Sequence, residues 1–200
     1  MRFVDASAQG ALEETAAVLN AGGVAVIPTD TVYGLAARPD FPAAVERLYA
    51  IKHRDARKPI AMLASGAGAV RAAGAELCGE AERLAERHWP GALTLVLRCG
   101  GACEGFRVPA NTFARRLAAL CGGLLRATSA NLSGCAAAAD APAALEAVGL
   151  SCDIAVDGGP AVFGAASTVV RFAGPFSPPE ILRPGPVRIE TGLAGAAGGK

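Results

Sequence analysis

Four cations, Lys52, Arg54, Arg57 and Lys58, fall within the short stretch Ile51-Lys52-His53-Arg54-Asp55-Ala56-Arg57-Lys58-Pro59, where Asp55 is the only acid. Cations fixed beside a folded core can hold a polyanion such as a nucleotide triphosphate or an RNA backbone. A solvated basic loop is the alternative, and the stretch by itself does not choose between them. Two other stretches offer complementary chemistry. Thr29, Asp30 and Thr31 follow the apolar run Val24-Ala25-Val26-Ile27, and Thr128-Ser129-Ala130-Asn131 follows Leu124–Ala127. Hydroxyls, amides and free backbone N–H groups suit phosphate and ribose oxygens, and ligands of open α/β sheets sit at the carboxyl ends of strands. Each stretch reads equally as a capped turn. Arg107 lies in Phe106–Pro109, an extended segment stopped by proline.

The elements that position these groups alternate between helix and strand patterns. Ala8, Leu12, Ala16 and Leu19 share one face of a helix predicted over Ala8–Asn20, ended by Gly22-Gly23. Val24–Ile27 has the continuous apolar pattern of a buried strand. Phe41, Ala44, Val45 and Leu48 mark a helix leading into Lys52, and Ile60–Ala64 reads as a strand, so the cations lie on a helix-to-strand loop. Ser65–Gly74 and Gly79–His88 form two short helices, and His88 shares a stripe with Ala81, Leu84 and Ala85. Leu93–Leu97 is a strand and Cys99–Gly105 a glycine-rich loop. Phe113, Leu117 and Leu120 mark a further helix, Leu124–Ala127 a short strand, and Ala141–Val148 a last helix. Asp153–Val156 and Ser167–Val170 are strands, and Ile181–Gly185 closes the ordered part. No linker divides the chain, so residues 1–191 form one α/β domain, followed by a Gly/Ala-rich tail, 192–200, expected to be mobile.

Bulk properties narrow the function classes. Two hundred residues with a net charge of +1 make one domain with no overall polycation, so any anion site is a local patch. This argues against a protein that coats nucleic acid. The amino terminus lacks the apolar core of a signal peptide, and no run is long enough to span a bilayer. Six cysteines without a CxxC pair and two histidines give weak support for zinc and read as reduced thiols of a cytoplasmic protein. There is no P-loop, no GxGxxG turn and no GxSxG elbow, which makes hydride transfer and serine hydrolysis poor readings.

In this order, several blocks resemble the YrdC-like family of L-threonylcarbamoyladenylate synthases. They are Pro28-Thr29-Asp30-Thr31-Val32-Tyr33-Gly34-Leu35, Lys52-x-Arg54 with Lys58-Pro59, Trp89-Pro90-Gly91-Ala92-Leu93-Thr94 and Arg107-Val108-Pro109. Ser129-Ala130-Asn131-Leu132-Ser133-Gly134, Ser167-Thr168-Val169-Val170 and Leu182-Arg183-Pro184-Gly185 complete the set. The resemblance implies a single-domain twisted mixed sheet with flanking helices and a large open basic cavity. It also implies that L-threonine, bicarbonate and ATP, with Mg²⁺, give threonylcarbamoyl-AMP and pyrophosphate. A downstream transfer complex then passes the threonylcarbamoyl group to tRNA. By this resemblance Lys52 and Arg54 bear on the phosphates and carbamate, with Lys58 adding a contact. Ser129, Asn131 and Arg183 hold the nucleotide; Thr31, Arg107 and Ser167 hold L-threonine. Departures from the family pattern are Leu63 where some members carry His, Cys103 for Ser or Thr, Ala137 for a polar residue, and Arg171 for Asp. Two other readings stay open. One is a basic concave surface that binds RNA, even weakly; the other is a carbamoyl-transfer enzyme of metal-cluster maturation, against which the missing CxxC pairs and short chain argue.

Overall fold

The computed structural model describes residues 1–172 and 177–190; the tail expected to be mobile, 192–200, lies outside them. Ten strands and six helices form along the described chain. They are β1 (Arg2–Asp5), α1 (Ala11–Asn20), β2 (Ala25–Ile27), β3 (Gly34–Ala37), α2 (Pro42–Lys52), β4 (Met62–Ala64), α3 (Ala67–Ala72) and α4 (Gly79–His88). Then come β5 (Leu93–Cys99), β6 (Ala102–Arg107), α5 (Thr112–Leu120), β7 (Leu124–Ser129), α6 (Ala141–Val148), β8 (Ile154–Asp157), β9 (Thr168–Arg171) and β10 (Glu180–Arg183). All ten strands join one mixed sheet in the order β1-β8-β2-β3-β7-β4-β6-β5-β9-β10. This is the expected α/β architecture, with parallel pairs at β1–β8, β2–β8, β4–β6 and β5–β9 and antiparallel pairs elsewhere.

Strand alternation decides which helices cover which face. From the β2 region Val24 and Val26 join one core with Leu48 of α2 and Ala141 and Ala144 of α6. Ala25 and Ile27 point the other way, into a core with Leu12, Ala16 and Leu19 of α1 and Leu117 of α5. Because β2 is buried on both faces, it carries a run of apolar residues and not an alternation. In the other half of the sheet Leu93, Leu95 and Leu97 of β5, Phe106 of β6 and Val170 of β9 pack on α3 and α4. Their intervening neighbours, Thr94, Val96, Gly105 and Val169, face the opposite way and line an open cavity.

Three details differ from the sequence reading. Helix α1 starts at Ala11 and not Ala8, because Gly10 takes a left-handed φ of 83° that stops extension toward the amino terminus. The segment Cys99–Gly105, expected as a loop, is mostly strand. Gly100 and Gly101, at φ 57° and 89°, make a two-residue hairpin turn, and β6 runs on from Ala102. The edge strand β1 and strand β3 had no counterpart in the sequence reading. With β3 present, residues 28–33 become the connection of the β2–β3 hairpin.

Candidate active site

The cavity has a volume of about 330 Å³ and lies on the face of the β6-β5-β9 region opposite α3 and α4. The β2–β3 connection supplies Thr29, Thr31 and Tyr33, the basic loop Arg54, β6 Arg107, β7 Ser129, the approach to β9 Ser167, and β10 Arg183. Most of the residues singled out from sequence therefore meet at one place, although they span positions 31 to 183. Lys52, Lys58 and Asn131 are not among the lining residues.

Each side chain is held by identifiable contacts. Thr29 Oγ1 donates to the Val32 carbonyl at 2.6 Å and lies 3.0 Å from Thr31 Oγ1, folding the hairpin connection into a tight turn. Arg107, buried, donates from Nε to the Gly91 carbonyl at 3.0 Å and from Nη1 to Thr31 Oγ1 at 2.6 Å; Nη2 donates to Asp30 Oδ1. Burial pulls the Arg107 guanidinium below its ordinary pKa, Asp30 opposes that, and Arg183 adds to it. A guanidinium has five N–H groups. Three contacts among the described residues leave one N–H on each terminal nitrogen for a further acceptor.

Ser167 Oγ sits 2.8 Å from Thr94 Oγ1, and Arg183 donates to the Ser167 carbonyl at 2.8 and 3.0 Å and to its Oγ at 3.1 Å. Strand β10 reaches this position through a register shift. Ile181 pairs with Val170 and Arg183 with Val169, so Leu182 is the extra residue of a bulge. A regular strand would put Leu182 and Arg183 on opposite faces; with the bulge both line the cavity. Burial and the nearby Arg54 lower the Arg183 pKa. Arg54 itself is braced by donating from Nε to the Lys58 carbonyl at 3.0 Å and from Nη2 to the Pro59 carbonyl at 3.1 Å.

Lys52 sits behind the wall. It ends α2 with 1% exposure, and its ammonium donates to the backbone carbonyls of Ser129 and Asn131 and to Asn131 Oδ1 at 3.1 Å. Asn131 Nδ2 in turn donates to the carbonyls of Leu132 and Cys135 at 2.9 and 2.7 Å. Lys52 and Asn131 thus fix the turn that presents Ser129. His53, next in sequence, holds a left-handed φ of 49°, the only non-glycine residue described with positive φ, and turns the chain from α2 into the basic loop. Lys58 is exposed on that loop.

Sequence reasoning missed Asp30 as the partner of Arg107 and Thr94 as the partner of Ser167. The signal for Thr94 was available, since a hydroxyl inside Leu93-Thr94-Leu95 marks the face opposite the leucines. Of the departures, Leu63 and Cys103 line the cavity. Among the described residues no group of three or more His, Cys, Asp or Glu is placed to hold a metal ion, and no helix is long and apolar enough to cross a membrane.

The threonylcarbamoyl-AMP synthase of Pyrococcus abyssi is 34% identical over 88% of this chain and 54% of its own length. That of Bacillus subtilis is 34% identical over 90% of this chain and 54% of its own. The chain thus spans about half the length of these curated relatives. The structure of Pyrococcus abyssi Sua5 complexed with L-threonine superposes with a TM-score of 0.81 at 31% identity, covering 92% of this chain and 57% of that one. The Sua5_yciO_yrdC family, described as telomere recombination, matches residues 17–185, which take in every cavity residue named above. The chain belongs to the Sua5/YciO/YrdC family.

Proposed function

We propose that the protein is a nucleotidyltransferase that makes threonylcarbamoyl-AMP and pyrophosphate from L-threonine, bicarbonate and Mg²⁺-bound ATP, in the cytoplasm, for threonylcarbamoyladenosine modification of tRNA. The observation that carries this reading is the convergence of Arg54, Arg107 and Arg183 on one cavity, with Asp30 the one acid paired to any of them among the described residues. Such a site favours more than one anionic substrate. The names of the curated relatives, and the L-threonine in the Pyrococcus abyssi structure, supply the substrate class.

The chemistry follows from the groups present. The neutral threonine amine captures CO2 derived from bicarbonate, giving a carbamate, and the amine proton leaves with the bicarbonate hydroxide as water. A carbamate oxygen attacks the α-phosphorus of ATP, the bond to the bridging oxygen breaks, and pyrophosphate leaves with the electron pair. Negative charge moves onto the leaving group, so fixed cations act by electrostatics and positioning, with no covalent intermediate on the protein. Arg54 and Arg183 face the phosphates, Lys58 adds a contact from the loop, and Ser129 receives the nucleotide. Lys52 and Asn131 serve as positioning residues that hold the Ser129 turn. Arg107 takes the threonine carboxylate on its remaining N–H groups, with Thr31 bonded to it and Ser167 lining the same cavity. Arg suits this task better than Lys because its planar fork matches the carboxylate. A downstream complex would transfer the threonylcarbamoyl group to tRNA.

Mass spectrometry of the protein incubated with ATP, Mg²⁺, L-threonine and bicarbonate tests this. Threonylcarbamoyl-AMP is expected only when all three substrates are present. Arg54→Ala is expected to lower kcat/KM by the equivalent of about 2–4 kcal/mol. Folded protein that makes no product, or an Arg54→Ala variant with parental turnover, would overturn the assignment.

A further inference from the structure

The least explained group beside the cavity is the Asp30 carboxylate. It is 4% exposed and sits in the β2–β3 connection, with Oδ1 on Arg107 Nη2. Its second oxygen, Oδ2, is buried without a hydrogen-bond partner among the described residues. A half-satisfied buried carboxylate costs desolvation energy, which only its pairing with a nearby cation offsets. The neighbouring charges are Arg107 itself and, beyond it, Arg183, which repels Arg107. Without Asp30, the Arg107 guanidinium would be a buried cation held, among the described residues, by Thr31 Oγ1 and the Gly91 carbonyl alone.

We propose that Asp30 is the positioning residue of the carboxylate subsite: by taking one N–H of Arg107 Nη2, it fixes the rotation of the guanidinium so that one N–H on each terminal nitrogen remains for the substrate carboxylate. The inference rests on the reading of Arg107 given above. Asp30 needs no contact with the ligand, and it is absent from the cavity lining. Its monodentate contact is consistent with this role. A bidentate ion pair on Nη1 and Nη2 would use up the very groups that the ligand requires. The backbone of Asp30 makes a separate contribution, because its carbonyl accepts from the Phe163 N–H at 3.0 Å and ties down the loop leading to Ser167. A side-chain substitution leaves that bond in place, so the two roles separate experimentally.

The test uses Asp30→Asn, which keeps the shape and one acceptor, and Asp30→Ala, which removes both. L-threonine and ATP affinities are measured separately by calorimetry, together with the KM of each substrate. For Asp30→Asn the L-threonine KM is expected to rise about tenfold, the size of one weakened charged hydrogen bond, with the ATP KM within about twofold and kcat little changed. For Asp30→Ala the loss is expected to be larger and equally confined to the amino acid. Parental L-threonine affinity in both variants would overturn the proposal, as would equal losses for both substrates together with a lowered melting temperature. The side-chain NMR signal of Arg107 Nε–H gives a readout that needs no substrate. Its exchange with water is expected to speed up in both variants, and unchanged exchange overturns the positioning contact. If the parent protein itself binds no L-threonine, the substrate reading fails, and the Arg107 signal alone then decides whether Asp30 fixes the guanidinium.

Discussion

Lys52 carries its charge into a place almost closed to solvent, with carbonyl oxygens of Ser129 and Asn131 standing in for water. Burial, and secondarily the repulsion of Arg54, bring its pKa down from the ordinary 10.5 to about 8. Between those two values the unfolded chain binds more protons than the folded one, so this residue makes stability rise with pH. Its contribution is fully present above 10.5 and is lost as pH falls through about 8. Denaturant unfolding of the parent and of Lys52→Met, at pH 7 and pH 10.5, is expected to show the parent gaining about 3 kcal/mol relative to the variant over that span. A constant difference between the two proteins would mean that the amine titrates normally. The residue type of Lys52 was visible in the chain, but its direction was not. Its acceptors lie 77 and 79 positions away, and only the placement of α2 against the end of β7 brings them together. The same holds for Asp30, whose partner Arg107 is 77 positions distant. Local spacing suggested a turn-forming aspartate, and the ion pair arises from strand order alone.

At the scale of elements, β2, β5, β7 and the helices announced themselves through apolar runs and stripes, whereas β3 and β6 did not. Strand β3 is Gly34-Leu35-Ala36-Ala37, poor in the branched and aromatic residues that mark strands and buried throughout, so it shows no alternation. Strand β6 carries a glutamate and a glycine next to a two-glycine turn, which together resemble a loop. Gly105 has a packing reason to be there, since a Cβ would lie 3.2 Å from that of Ala61. Gly185, just after β10, is tightly enclosed by backbone. An added Cβ would meet the Thr168 nitrogen at 2.5 Å and the Ala166 oxygen at 2.6 Å, both backbone atoms that have no rotamer to yield. Gly185→Ala is therefore expected to cost about 1–3 kcal/mol through overpacking. It should also weaken amino-acid binding, because the backbone pushed aside is that of Ser167. Thermal melting and L-threonine titration of the variant check both halves. A variant with the parent's melting temperature would show that β10 has room to shift, and would weaken the view that this strand rigidly sets Arg183.

For the whole molecule, the arginines of the cavity repel one another until an anion arrives, so ligand and fold support each other. Pyrophosphate, a product of the proposed reaction, is expected to raise the melting temperature. At a hundredfold excess over its Kd the gain is about 2.7 kcal/mol, or about 5–10 °C for a chain of this size. Scanning fluorimetry against pyrophosphate, with chloride at equal ionic strength as control, would show it; equal shifts with both salts would point to screening without a site. The α/β class was readable from local patterns. The shape of the cavity was not, because it depends on which strands become neighbours in the sheet. Strand β8 illustrates another property of this topology. It lies between β1 and β2, yet it is made more than a hundred residues after either. A ribosome adds roughly 5–20 residues per second, so β2 leaves the exit tunnel on the order of ten seconds before the strand that covers its flank. For that interval the growing chain presents an apolar strand edge of the kind that pairs with strangers. Its yield in a cell should therefore follow chaperone supply and translation speed more closely than the stability of the finished fold.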